Sequence, residues 1–330
     1  MKHEGCEIME GKDIAKLWRK LSVDKKESSR VMRSLDENQN IFISWNKKKE
    51  CKEILVRLNK DIQEKEVPKW KGMKFSNTEI TQNKFIVMEL LDEELEDVFL
   101  FFCEDAIECL KEISFEKRDL IIVDFLQRWD LFFSNKRLRI LSNERQRGLY
   151  AELFWLRKML EHVGLTSGHK LISTWKGPER AYHDFENENG SIIEVKSTIG
   201  KEPRKVVISN ERQLDDTDLN EVYLYILTIN VNKEGESLPE IIEEIQSMLQ
   251  LQKYVNLFKR KLAMAGYLEK FSKEYISKYN IRMEELFKIR EGFPRIIHLN
   301  NGLGDLKYSI QISSCKDFQV DITKTINNVF

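Results

Sequence analysis

Tyr182-His183-Asp184-Phe185-Glu186-Asn187-Glu188-Asn189-Gly190-Ser191-Ile192-Ile193-Glu194-Val195-Lys196-Ser197-Thr198 reads as a β-hairpin, and the pairing of its arms decides the fold. In the second arm Ile193 and Val195 point to one side, while Ile192, Glu194, Lys196 and Thr198 point to the other. The first arm, Tyr182 to Glu186, is shorter, and Asn and Gly mark the turn because both tolerate positive φ. A three-residue loop, Glu188 to Gly190, pairs Asn187 with Ser191 and sets Asp184 opposite Glu194 on one face. A two-residue loop at Asn189-Gly190 would send them to opposite faces. The three-residue loop is the expectation, with Gly190 left-handed, because it alone gathers Asp184, Glu194 and Lys196.

Two carboxylates this close do not both stay ionised cheaply: one protonates or a cation joins them. Oxygen ligands suit Mg²⁺, with Mn²⁺ as substitute, held by one or two carboxylates plus waters and substrate phosphate. With Lys196 alongside to hold a water or balance developing charge, the implied reaction is phosphodiester hydrolysis. A Glu-x-Lys triplet is common in a chain that is 33% charged; Glu10-Gly11-Lys12 and Glu50-Cys51-Lys52 are others. Only the triplet at 194 lies in a β-branched run with an Asp on the preceding arm, and the competing reading is an ordinary cross-strand salt bridge.

Upstream, Leu149, Leu153, Leu156, Leu160 and Val163 recur at helical spacing from about Asn143 to Val163, which places Glu152 at the apolar face. A buried Glu needs a cation or a proton, unless it pairs with Arg145 or Lys158 at the rim.

Asp184 followed by Glu194-x-Lys196 resembles the PD-(D/E)XK nuclease superfamily. With Arg147-Gly148-Leu149-Tyr150-Ala151-Glu152-Leu153, Trp175-Lys176-Gly177-Pro178, Ile208-Ser209 and Gln213-Leu214-Asp215, the order resembles the bacterial "PD-(D/E)XK motif protein" family of restriction and phage-defence gene clusters. The resemblance implies an α/β (α+β) fold with a restriction-endonuclease-like αβββαβ core. It implies Asp184 and Glu194 as Mg²⁺ ligands with help from Glu152 and the Val195 carbonyl, Lys196 as holder of the nucleophilic water, and Gln213 in support. His183 stands where the superfamily's name calls for Pro, a departure many members share.

Composition bounds the rest. The 330 residues carry 54 basic and 55 acidic side chains, so no global field draws the chain to DNA. A DNA surface must be local, and Lys176, Lys201, Arg204, Lys205 and Arg212 are its candidates, with Lys170 and Arg180 nearby. Cysteines 6, 51, 103, 109 and 315 form no Cys-x-x-Cys pair and read as free thiols of a reducing cytoplasm. No apolar run is long enough to span a membrane. The reading is a Mg²⁺-dependent endodeoxyribonuclease of a defence system, with DNA, an ATPase or helicase and a second copy of the chain as the partners it allows. Its rival is a catalytically silent nuclease-fold subunit that docks DNA or assembles a complex; RNA as substrate stays open.

Four segments are expected: an N-terminal arm over 1–40 carrying one amphipathic helix around Ala15 to Leu21, a small α/β module over 41–117, the nuclease core over 118–233 and a helical region with terminal strands over 234–330. Within them, strands are expected at Ile41 to Trp45, Lys84 to Leu91, Lys170 to Trp175, Val206 to Ile208, Val222 to Ile229, Arg295 to Leu299 and Lys307 to Ser313. Helices are expected over about 49–63, 92–113, 118–140, 238–251 and 255–265, with more within 270–289, and Ser209 is the expected cap of a turn through Gln213. Residues 89 to 112 carry ten acidic side chains and one Lys, which reads as a solvated helix face or a dock for a basic partner.

Overall fold

The computed structural model describes residues 11–25, 28–36, 38, 40–110, 113–133, 140–163, 168–179, 181–217, 219–297 and 306–329. The Gly302-Leu303-Gly304 turn and Arg180 lie outside them. The chain divides into two compact units, 1–138 and 139–330.

The first unit comprises α1 (Gly11–Ser22), β1 (Arg30–Ser34), β2 (Ile41–Asn46), β3 (Cys51–Leu58), β4 (Met73–Ile80), β5 (Asn83–Leu90), α2 (Glu96–Leu110) and α3 (Arg118–Phe133). Its antiparallel strands run in the order β1-β2-β3-β5-β4. α1 falls on the expected amphipathic helix, and the described part of the N-terminal segment packs in this unit: Trp18 of α1 stacks on Phe99 of α2 at 5.5 Å, its indole N–H donates to the Ser44 carbonyl, and β1 extends the sheet. Where a helix was expected over 49–63, β3 runs through the sheet interior, its Ile54-Leu55-Val56 buried on both faces. Glu53 in that strand is fully buried and satisfied from β1 by Arg30 at 2.7 and 3.1 Å and from β2 by Ser44 at 2.9 Å and Asn46 at 2.8 Å. α3, expected to begin the nuclease core, packs in this unit, with Phe125 and Trp129 against Phe102 of α2.

The second unit contains α4 (Asn143–Val163), α5 (Gly168–Thr174), β6 (Phe185–Glu186), β7 (Ser191–Ile199), β8 (Lys205–Ile208), β9 (Glu221–Asn232), β10 (Glu236–Ser237), α6 (Leu238–Met248), α7 (Gln252–Ala265), β11 (Lys278–Ile289), β12 (Tyr308–Gln311), β13 (Gln319–Val320) and α8 (Ile322–Val329). The main sheet runs β10-β11-β9-β7-β6, with β13 also on β11, and β7 pairs parallel to β9. In chain order α4, β6, β7, β8, the 3-10 turn Glu211–Leu214 and β9 follow the αβββαβ pattern, with α5 inserted before β6 and β8 paired with β12 in a separate two-stranded sheet. β9 holds the sheet interior as its apolar run requires: Tyr223, Tyr225 and Leu227 join Leu149, Leu153, Leu156 and Leu160 of α4 in one core, and Val222, Leu224 and Ile226 join Val206 and Ile208 in the other.

Three expectations fail here. Lys170 to Trp175 is not a strand: α5 occupies it, and Trp175 alone bridges to Phe185. Residues 278–289 form β11, not a helix, so the C-terminal region shares the core sheet. No strand forms over the described part of 295–299. Elsewhere β12 falls in the run expected at 307–313, and α6 and α7 fall where amphipathic helices were expected.

Candidate active site

The hairpin takes the three-residue loop. Phe185 pairs with Ile193 and Glu186 with Ile192, the Asn187 N–H donates to the Ser191 carbonyl at 2.9 Å, and Gly190 sits at φ +78°. Asp184 therefore faces Glu194. It lies in the bend before β6, and its Oδ2 accepts from the Val195 N–H at 2.8 Å. Alternation along β7 sends Ile193 and Val195 into the core under α4, leaving Glu194 and Lys196 on the opposite face. There Lys196 Nζ donates to Glu194 Oε1 at 2.5 Å.

α4 brings Glu152 to the same place. The Trp175 indole N–H donates to Glu152 Oε2 at 2.8 Å, so neither Arg145 nor Lys158 is needed at the rim; Lys158 pairs with Glu284 at 3.0 Å. Gly177 stands between the acids: a Cβ there would lie 2.7 Å from Glu152 Oε2 and 3.1 Å from Asp184 Oδ1. The N–H groups of Lys176 and Gly177 donate to the Asp184 carbonyl at 2.7 and 3.1 Å, which fixes the bend against the turn after α5.

Three carboxyl groups share one ammonium, and the electrostatics follow. Burial, then the Asp184 charge, push Glu194 up to about 8 against the pull of Lys196. Burial and Asp184 also hold Glu152 well above its ordinary value, although the Trp175 N–H favours its charged form. Burial raises Asp184 too, opposed by Lys196 and the Val195 N–H. Burial pulls the Lys196 ammonium down, yet Glu194 and Asp184 outweigh it and the net shift is upward. Burial and mutual repulsion thus favour the protonated over the charged carboxyls of this cluster unless a cation joins them.

Among the described residues no group of three or more His, Cys, Asp or Glu is arranged to hold a metal ion by itself. Lys196 occupies one oxygen of Glu194. The other, Oε2, is buried without a hydrogen-bond partner, in a side chain only 1% exposed. A stranded carboxylate oxygen is costly, and two carboxylates with oxygens to spare fit a hard divalent cation that keeps its waters.

The other candidates fall elsewhere. Gln213 turns back on its own loop, its Oε1 accepting from the Ser209 N–H at 2.8 Å, and Asn210, not Ser209, caps the turn. Arg204 commits its guanidinium to Glu285 at 2.5 Å and Thr228 at 3.1 Å, and Lys176 pairs with Glu179 at 3.2 Å. Lys201 and Lys205 are exposed. Arg212 lies over the Tyr182 ring at 4.5 Å, and that ring is 54% exposed two residues before Asp184. His183 turns away, with Nε2 3.0 Å from the Arg212 carbonyl. Sequence reasoning passed over Gly177 as a wall of the site and Trp175 as the holder of Glu152; the signal available for both was the Trp-Lys-Gly-Pro run itself.

A family model described as "Putative PD-(D/E)XK family member, (DUF4420)" matches residues 14–313. No curated protein and no solved structure was found to match. Because that model spans most of both units, the chain belongs to this PD-(D/E)XK family.

Proposed function

We propose that the second unit is a metal-dependent nuclease that hydrolyses phosphodiester bonds in DNA. One observation carries the reading: the buried Glu194 keeps an unpartnered oxygen beside Asp184 and Lys196. Asp184 and Glu194 would hold Mg²⁺ or Mn²⁺, with Glu152 and the Val195 carbonyl assisting. When bound, such a cation lowers the pKa of water and stabilises charge on a phosphoryl oxygen. Lys196, partly exposed where Glu194 is not, presents its ammonium to the attacking water and to the charge that develops as the P–O bond breaks. Trp175 holds the Glu152 carboxylate in one orientation. Lys201, Lys205 and Arg212, with Lys176 at the turn, suit backbone phosphates without reading sequence.

The setting in a restriction or phage-defence system with an ATPase or helicase partner is part of the proposal and rests on the family resemblance. A cytoplasmic location fits Cys51, Cys103 and Cys315 as free thiols; no helix of the described residues is long and apolar enough to cross a membrane.

The test incubates DNA, and RNA in parallel, with wild type, Asp184→Ala and Lys196→Ala in Mg²⁺, with EDTA controls. Cleavage by wild type alone, abolished by EDTA, is expected. Equal activity in all three proteins removes the assignment, and DNA binding without turnover under any divalent metal favours a docking subunit.

A further inference from the structure

We propose that Lys261 is a positioning residue of this site, clamping the turn that orients Glu152 and Asp184; the inference rests on the nuclease reading above. Lys261 lies on α7 and is 2% exposed. Its ammonium donates to the Trp175 carbonyl and pairs with Glu179 Oε1 at 2.7 Å. One turn earlier on the same face of α7, the Phe258 ring packs 6.0 Å from that of Trp175. α7 therefore grips the Trp175 backbone and side chain together.

Burying a lysine is unfavourable, and its neighbours Leu262 and Ala263 are ordinary apolar core. What the ammonium secures is the segment Trp175 to Glu179, whose other side faces the acids. Trp175 Nε1 holds Glu152, the Lys176 and Gly177 N–H groups hold the Asp184 carbonyl, and Gly177 leaves both carboxylates adjacent. Lys261 touches none of the acids itself. It acts through the turn, as partners behind metal ligands do, where substitution typically lowers metal affinity about 10–100-fold. The sequence signal was a lysine inside the apolar stripe of Phe258 and Leu262.

The experiment compares full-length wild type with Lys261→Met and Glu179→Gln. In K261M, Glu179 keeps Lys176 at 3.2 Å, so no carboxylate is stranded and the fold should persist. Two readouts are taken: amide hydrogen exchange at Lys176 and Gly177 in metal-free protein, and Mn²⁺ affinity by calorimetry. The expected result is faster exchange at those two amides and Mn²⁺ binding weakened about tenfold or more in K261M, with a smaller change of the same sign in E179Q. Unchanged exchange and Mn²⁺ affinity in K261M, with wild type binding normally, overturn the clamp alone. Wild type that takes up no Mn²⁺ overturns the nuclease reading and the clamp's purpose with it. Should K261M not fold, E179Q, at a half-buried position, decides by the same two readouts.

Discussion

Replacing Gly177 by Ala tests the site's geometry with a single methyl group. The new Cβ would stand 2.7 Å from Glu152 Oε2 and 3.1 Å from Asp184 Oδ1. Restoring ordinary contact requires a shift of roughly 0.7 Å from Glu152 and roughly 0.3 Å from Asp184. Glu152 cannot yield freely, because Trp175 Nε1 holds the same oxygen at 2.8 Å. Asp184 is pinned as well, through Val195 at one carboxylate oxygen and through Lys176 and Gly177 at its carbonyl. Functional constellations tolerate displacements of about 0.5 Å, and a 1 Å error costs about 100-fold in rate. G177A should therefore lower Mn²⁺ affinity and DNA cleavage about 10–100-fold. If the Trp175–Glu152 hydrogen bond breaks, about 1–2 kcal/mol of stability goes with it. The assay is Mn²⁺ titration by calorimetry beside cleavage at saturating metal, with urea denaturation for stability. A G177A protein with wild-type metal affinity and rate would show that the two carboxylates do not act together across this turn.

Further outcomes follow from the same cluster. Glu194 titrates near 8 when folded against an ordinary 4.5, so between those values the folded chain binds the extra proton. Its stabilising effect is complete below about 4.5 and is lost as pH rises through about 8, with a slope of at most about 1.4 kcal/mol per pH unit. Urea midpoints of metal-free protein in EDTA should fall over that range, while Mn²⁺ uptake strengthens and releases protons; a flat profile would contradict the assignment. Glu152→Gln keeps an acceptor for Trp175 and removes a carboxyl held well above its ordinary value. It should make the alkaline loss of stability shallower and weaken Mn²⁺ binding, both readable in the same titrations. Gln213→Ala should cost about 1 kcal/mol of stability and leave Mn²⁺ affinity unchanged, because that amide serves the Ser209 N–H; a large loss of affinity would return Gln213 to the site.

The hairpin register and α4 were legible because each rests on local pattern: alternation plus a glycine at positive φ in one case, a leucine stripe in the other. Where the sequence misled, distant partners outweighed local preference. Met283-Glu284-Glu285-Leu286 favours helix, yet it pairs along β9, with Glu284 accepting from the Tyr225 hydroxyl and Glu285 from Arg204. Where a helix was expected over 49–63, Glu53 is paired inside a sheet with Arg30, 23 residues upstream. Leu171 and Ile172 looked strand-like, but α5 buries both in the core, with Trp175 just past its end. Lys261 stands out locally as a lysine in an apolar stripe, but the carbonyl it holds is 86 residues away, a pairing no local pattern shows.

If Asp184 and Glu194 share a divalent cation, anomalous scattering from crystals soaked in Mn²⁺ will locate it between them. A peak is expected within ligand distance of oxygens from both side chains, with Lys196 Nζ drawn away from Glu194 Oε1. Crystals that take up Mn²⁺ elsewhere, with the Lys196–Glu194 ion pair intact and no peak between the two acids, would contradict it.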